Sequence, residues 1–255
     1  MFTFSQGLKI YYHLTEANPC KGICIFLHGL GGDGGIWEFM EKPVVSKGYS
    51  FIAVDLPGHG LSERLNKFTT VRDLADAVKT VIDVKRLKKI TLVGHCFGGM
   101  VALETDLCFP KNINQLALIN TSPAAPSWGK WFSKVLSWRQ PKLISPKYAH
   151  VDFSYYRGTG DLNLFRLASD LSHVGSCSYS FLLHSALSWK SQSKLKTLKV
   201  PTLIIGGKKD VIFPPKTQEY LATLLPNSKL LLLEENHLIP LNAPEQLREI
   251  LVEYI

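Results

Sequence analysis

Two hydrophobic rhythms alternate along the chain. Short, continuous runs rich in Ile, Val and Leu occupy residues 22–27, 50–54, 90–93, 115–119 and 201–205, with a further apolar run at 230–233. Runs of this length that lack polar/apolar alternation fit strands covered on both faces. Between them lies helical spacing, clearest over 70–84, where Val71, Leu74, Ala75, Val78, Val81 and Ile82 recur three or four apart and so share one helix face. Thr69 or Thr70 is placed to cap that helix ahead of Asp73.

Further helices are expected at 97–108, ending before Pro110, at 217–225, and at 243–255, the last capped by Asn242 with Pro244 and Glu245 in its first turn. The opening residues read as a hairpin, with strands at 2–5 and 8–14 around Gln6-Gly7. Strand and helix in alternation imply a mostly parallel central sheet of about eight strands, with right-handed crossovers and helices on both faces.

From 121 to 197 the rhythm breaks. This stretch holds Trp128, Trp131, Trp138 and Trp189 together with Phe153, Tyr155, Tyr156, Phe165, Tyr179 and Phe181; its pieces look helical, as at 162–171, and no buried-strand run returns until Val200. The expected organisation is an α/β core made of 1–120 and 198–255, with 121–197 inserted as a helical cap over the C-terminal edge of the sheet. Trp128, Trp131, Tyr155, Tyr156 and Phe181 are candidates to line an apolar pocket beneath it, or else to form the cap's own core.

Composition narrows the function classes. With 45% hydrophobic and 20% charged residues the chain is ordinary for a globular domain, and no apolar stretch approaches the length of a membrane span. The N-terminus lacks the basic region, apolar stretch and cleavage site of a secretory signal, so a cytoplasmic protein is expected. A net charge of +8 raises the question of anionic partners. Its densest groups, 85–89 and 194–199, each precede an apolar run, where solvated connections and helix C-termini carry lysine freely; attraction of an anionic substrate is the alternative. Neither nucleic acid nor membrane insertion is expected, and the assembly is taken as monomer or homodimer. Cys20, Cys24, Cys96, Cys108 and Cys177 are odd in number and form no C-x-x-C pair, which disfavours a disulfide framework. Clustered metal ligands are absent from the sequence, and no metal or cofactor is expected.

Cys96 stands apart because of its neighbours. In Ile90-Thr91-Leu92-Val93-Gly94-His95-Cys96-Phe97-Gly98-Gly99 an apolar strand enters a tight turn and then a helix. Such a reversal needs small residues two before and two after the central one, and it projects that side chain outward at a helix N-terminus, where backbone N–H groups favour a thiolate. A thiol nucleophile needs a base, and the base an orienting acid. The run at 201–205 leads through Gly206-Gly207-Lys208-Lys209 to Asp210, and the run at 230–233 leads through Glu234-Glu235-Asn236 to His237. Each delivers a side chain just past a strand, on the sheet edge that carries Cys96. After 22–27, His28-Gly29-Leu30-Gly31-Gly32 lets backbone amides approach a substrate oxygen. The N–H groups of Leu30 and Phe97 are the expected oxyanion donors, and His28 is expected to brace that loop.

With these motifs the chain resembles the α/β-hydrolase superfamily, in its lipase-like, cap-bearing branch of esterases and lactonases, from about Gly22 to the C-terminus. Asp55-Leu56-Pro57-Gly58-His59-Gly60-Leu61-Ser62 looks like that branch's D-x-P-G-x-G-x-S turn, which the resemblance marks as structural. The departure is cysteine where most such relatives carry serine; dienelactone hydrolases use a cysteine in the same turn. The resemblance implies hydrolysis of a small acyl substrate, an ester, thioester or lactone, through Cys96, His237 and Asp210 and a covalent acyl-enzyme. Acyl transfer on the same triad, or ligand binding without catalysis, are the alternatives.

Overall fold

The computed structural model describes residues 1–84, 88–124 and 148–255. Its sheet has eight strands: β1 (Phe2–Ser5), β2 (Leu8–Thr15), β3 (Gly22–Leu27), β4 (Tyr49–Val54), β5 (Ile90–His95), β6 (Ile113–Ile119), β7 (Thr202–Gly207) and β8 (Ser228–Leu233). They lie in the order β1-β2-β4-β3-β5-β6-β7-β8. The β1–β2 and β2–β4 pairs are antiparallel, and every pair from β4 onward is parallel.

The continuous apolar runs are continuous because both faces of the sheet are covered. Along β3, Ile23, Ile25 and Leu27 enter one core while Cys24 and Phe26 enter the other, and β4 divides in the same way, Ile52 and Val54 against Phe51 and Ala53. The first core is closed by α2 (Val71–Val84), α3 (Phe97–Cys108) and α6 (Pro215–Leu224), the second by α1 (Glu38–Ser46) and α7 (Pro244–Tyr254). Between β6 and β7 the described residues include α4 (Leu164–Val174) and α5 (Ser176–Ser188). From α5, Phe181 and Leu182 pack into the first core.

Local details follow the side chains. Thr70 and Asp73 form a reciprocal cap on α2: the Asp73 N–H donates to Thr70 Oγ1 at 3.2 Å, and Thr70 N–H donates to Asp73 Oδ2 at 2.8 Å. Asn242 does not cap α7. Ala243 holds the cap position without a side-chain bond, and Asn242 turns its amide group elsewhere, accepting from the Gly158 N–H at 2.8 Å and donating to Asn236 Oδ1 at 2.9 Å. Helix α1 has no counterpart among the expected helices, and Pro43 lies inside it. The buried pair Met40 and Val44, one turn apart, holds it against the sheet regardless of the hydrogen bond that proline removes.

In-register pairing sets the functional edge. Leu27 pairs with Gly94, His95 with Ile119, Ile119 with Ile205, and Gly207 with Leu233. The loops after β3, β5, β7 and β8 therefore emerge side by side.

Candidate active site

The turn after β5 is tight. Cys96 adopts φ +53° and ψ −116°, a left-handed conformation that a residue with a side chain holds only where its surroundings enforce it. A Cβ on Gly94 would fall 2.5 Å from the Gly98 carbonyl oxygen, and one on Gly98 would fall 2.5 Å from those of Leu27 and His28. Glycine at both positions is thus a steric requirement of this chain. Both backbone groups of Cys96 are fixed: its N–H donates to the Ile119 carbonyl at 2.9 Å, and its carbonyl accepts from Thr121 Oγ1 at 2.7 Å.

His237 and Asp210 meet as the strand ends predict. His237 Nδ1 lies 2.8 Å from Asp210 Oδ2, and Asp210 Oδ1 accepts the N–H groups of Ile212 and Phe213, both at 2.8 Å. Both side chains are buried. With Nδ1 turned to Asp210, Nε2 is the ring nitrogen that remains for sulfur, and His237 feels the charge of Cys96. Burial alone would push the imidazole towards its neutral form. Negative charge at Cys96, the hydrogen bond to Asp210 and the Asp210 charge outweigh it and hold the His237 pKa up at about 10.

The loop after β3 lies against this group, since a Cβ on Gly29 would sit 3.2 Å from that of Cys96. His28 is fully buried and holds the loop, accepting the Leu56 N–H on Nε2 at 3.0 Å and bonding the Gly29 carbonyl through Nδ1 at 2.8 Å. The Gly31 N–H donates to His59 Nε2 at 3.2 Å and the Gly32 N–H to the Gly29 carbonyl at 3.2 Å; these bonds use neighbours of Leu30 and not its own amide. The Asp55-to-Ser62 turn braces the loop from behind. Asp55 accepts the Gly34 and Leu61 N–H groups, both at 2.8 Å, and Ser62 Oγ donates to the Asp55 carbonyl at 2.6 Å. Burial, with the nearby Asp33 charge, pushes the Asp55 carboxyl up to about 6.

The three proposed pocket aromatics among the described residues do not gather in one place. Tyr155 is 81% exposed: the short turn Phe153–Tyr156 directs Tyr156 inward and its neighbour outward. Tyr156 donates its hydroxyl to Asp170 Oδ1 at 2.9 Å, and Phe181 belongs to the first core. Trp128 and Trp131 lie outside the described residues. Tyr179, one of the aromatics of this stretch but not one of the pocket candidates, packs on the first core and feels the charge of Cys96. A cavity of about 860 Å³ opens elsewhere, between Tyr11, His13, Glu41, Phe51, His150 and Phe153. Beside it, Asp33, Asp55 and His150 bring ligand-type atoms within 4.8 Å of one another. The Asp33 oxygens already accept the N–H groups of Gly35 and Val151, as those of Asp55 accept Gly34 and Leu61.

Three residues that sequence reasoning missed fix the backbone of the His237 loop. The His237 carbonyl accepts from His95 Nε2 and Asn120 Nδ2, each at 2.9 Å, and the His237 N–H donates to Asp161 Oδ1 at 2.9 Å. Burial pushes the His95 ring down to about 3, so it stays neutral and donates from Nε2. Asn120 also accepts the Gly207 N–H at 2.7 Å, tying the ends of β6 and β7 to the same loop.

Residues 24–244 match the family defined by the alpha/beta hydrolase fold, and the chain belongs to that family. It is similar to the uncharacterized hydrolase YugF of Bacillus subtilis, 26% identical over 274 residues that cover 98% of this chain and 95% of that one. Among solved structures it is similar to the enol-lactonase of Burkholderia xenovorans LB400, with a TM-score of 0.78, 16% identity, and 100% and 99% of the two chains covered. It is similar also to the esterase EaEST of Exiguobacterium antarcticum, with a TM-score of 0.78, 21% identity, and 99% and 98% covered. No helix among the described residues is long and apolar enough to cross a membrane.

Proposed function

We propose that the chain hydrolyses activated carboxylic acid derivatives, namely esters, thioesters or lactones, with Cys96 as nucleophile, His237 as base and Asp210 as the acid that orients it. The observation that carries this reading is the 2.8 Å bond from His237 Nδ1 to Asp210 Oδ2, with the charge of Cys96 acting on the same ring. Enol-lactonase and esterase relatives of the same fold support an acyl substrate.

In this reading the His237 imidazolium and the Cys96 thiolate form the resting pair. Sulfur attacks the carbonyl carbon, and the carbonyl electron pair moves onto oxygen, where the Leu30 and Phe97 N–H groups receive it. Collapse expels the alcohol or thiol, which takes the His237 proton. Water then gives a proton to His237 and attacks the thioester, and the acid departs as sulfur recovers its electron pair. A thiolate leaves a tetrahedral intermediate more readily than an alkoxide, so unactivated esters revert and activated carbonyls go forward. The described part of 121–197 serves as the cap over this edge.

The test is a panel of a p-nitrophenyl ester, an acyl thioester and a lactone with the unaltered protein, Cys96→Ala and Cys96→Ser. Turnover of at least one class that alanine abolishes supports the reading. Full turnover by the alanine variant overturns it, and product formed only when an alcohol or thiol acceptor is added makes the protein an acyltransferase.

A further inference from the structure

His237 is held from two sides by different parts of the molecule. Its carbonyl is gripped from the core, by His95 and Asn120. Its N–H is gripped from the stretch between β6 and β7, by Asp161 alone among the described residues. The Asp161 carboxylate is 7% exposed and uses both of its oxygens: Oδ1 accepts the His237 N–H at 2.9 Å and Oδ2 accepts the Val211 N–H at 2.8 Å. Val211 directly follows Asp210. One carboxylate thus spans the loop that carries the acid and the loop that carries the base.

The same short stretch is fastened to those loops at two more points. Asn236, the neighbour of His237, donates to the Thr159 carbonyl at 2.9 Å, and the Gly158 N–H donates to Asn242 at 2.8 Å. On its other side Asp161 is built into the start of α4, where Arg166 donates to the carbonyls of Gly160 and Asp161 and Asn163 caps the helix. A shift of α4 is therefore transmitted to the backbone of His237 and of Val211.

We propose that Asp161 is a positioning residue: it locks the acid and base loops in register with each other and makes the alignment of His237 depend on the placement of α4. The proposal rests on His237 acting as the base. A neutral acceptor does not replace it. Asparagine presents one oxygen and one NH2 group to two N–H donors, so one bond is lost and two donors face each other. Misplacement of a reacting group by about 1 Å reduces turnover on the order of a hundredfold.

The experiment compares unaltered protein, Asp161→Asn, His237→Ala and the double variant, reading the rate of Cys96 alkylation by iodoacetamide at pH 6 and p-nitrophenyl ester kinetics across pH. The expected result for Asp161→Asn is alkylation and kcat lowered about 10- to 100-fold with KM changed less than about threefold. In the His237→Ala background the same substitution then changes alkylation less than about twofold, because both act through one ring. A folded Asp161→Asn protein with unchanged alkylation, kcat and pH profile overturns the proposal, as does full additivity in the double variant. If His237→Ala itself leaves alkylation unchanged, it is the reading of His237 as base that fails. Hydrogen exchange on the unaltered protein decides the matter should Asp161→Asn not fold: the His237 and Val211 amides are expected to share one protection factor, and exchange of either at free-loop rates overturns the clamp.

Discussion

Asp106 makes an unusual demand on α3, the helix that begins at the nucleophile turn. It is fully buried, and neither of its carboxylate oxygens has a hydrogen-bond partner among the described residues. Burial pushes its pKa up to about 7. An unfolded aspartate titrates near 3.9, so the folded state holds this proton more tightly, and stability falls as pH rises from about 4 through about 7 and levels off above. Taking those two values, folding with the ionisable group costs about 1.5 kcal/mol at pH 5 and about 4 kcal/mol at pH 8.5, a difference of about 2.5 kcal/mol. Asp106→Asn is nearly isosteric with the protonated acid and does not titrate. Urea unfolding of both proteins at pH 5 and pH 8.5 cancels every group the two share. The variant is expected to gain about 2.5 kcal/mol relative to the parent between the two conditions, with equal m-values. A stability difference that stays constant with pH refutes the reasoning, because it means that Asp106 is ionised in the folded protein at both values, as it is in the unfolded chain.

Two further outcomes are expected at the active-site edge. Gly98→Ala places a methyl group 2.5 Å from two backbone carbonyl oxygens, which cannot yield as a flexible side chain does, and thermal unfolding should show a loss of about 2–4 kcal/mol; an unchanged melt contradicts the packing described for the turn. Nitrogen-15 histidine NMR should find His237 still protonated at pH 8, since its pKa is held up at about 10. In Cys96→Ala the same ring should lose its proton at lower pH, because the attraction of Cys96 is gone; identical titration in both proteins contradicts the coupling.

Much of this edge was legible in the chain, for a physical reason. Strands buried on both faces, such as β3 and β5, are written as unbroken apolar runs, and in a parallel sheet each run ends on the same side, so Cys96, Asp210 and His237 are announced by what precedes them. Glycine at 94 and 98 was readable because a Cβ has nowhere to go. The order β4-β3-β5 and helix α1 were not: strand order has no local signature, and Pro43 argues against a helix that tertiary burial of Met40 and Val44 nonetheless stabilises. Asn242 looked like a helix cap because local chemistry allows it, yet its partners Gly158 and Asn236 are supplied by the fold. Asp161, Asn120 and His95 escaped for a similar reason. They bind backbone groups of residues remote in sequence, and a backbone N–H or carbonyl leaves no trace in residue identity.

The measurement that bears most directly on the central claim is a rapid-quench reaction of the protein with a p-nitrophenyl ester or thioester it turns over, followed by peptide mass spectrometry. The account predicts one acyl group on the peptide containing Cys96, removed by neutral hydroxylamine, slow to form in His237→Ala and absent from Cys96→Ala. Undiminished turnover by Cys96→Ala, or an acyl group found on another side chain, would contradict it.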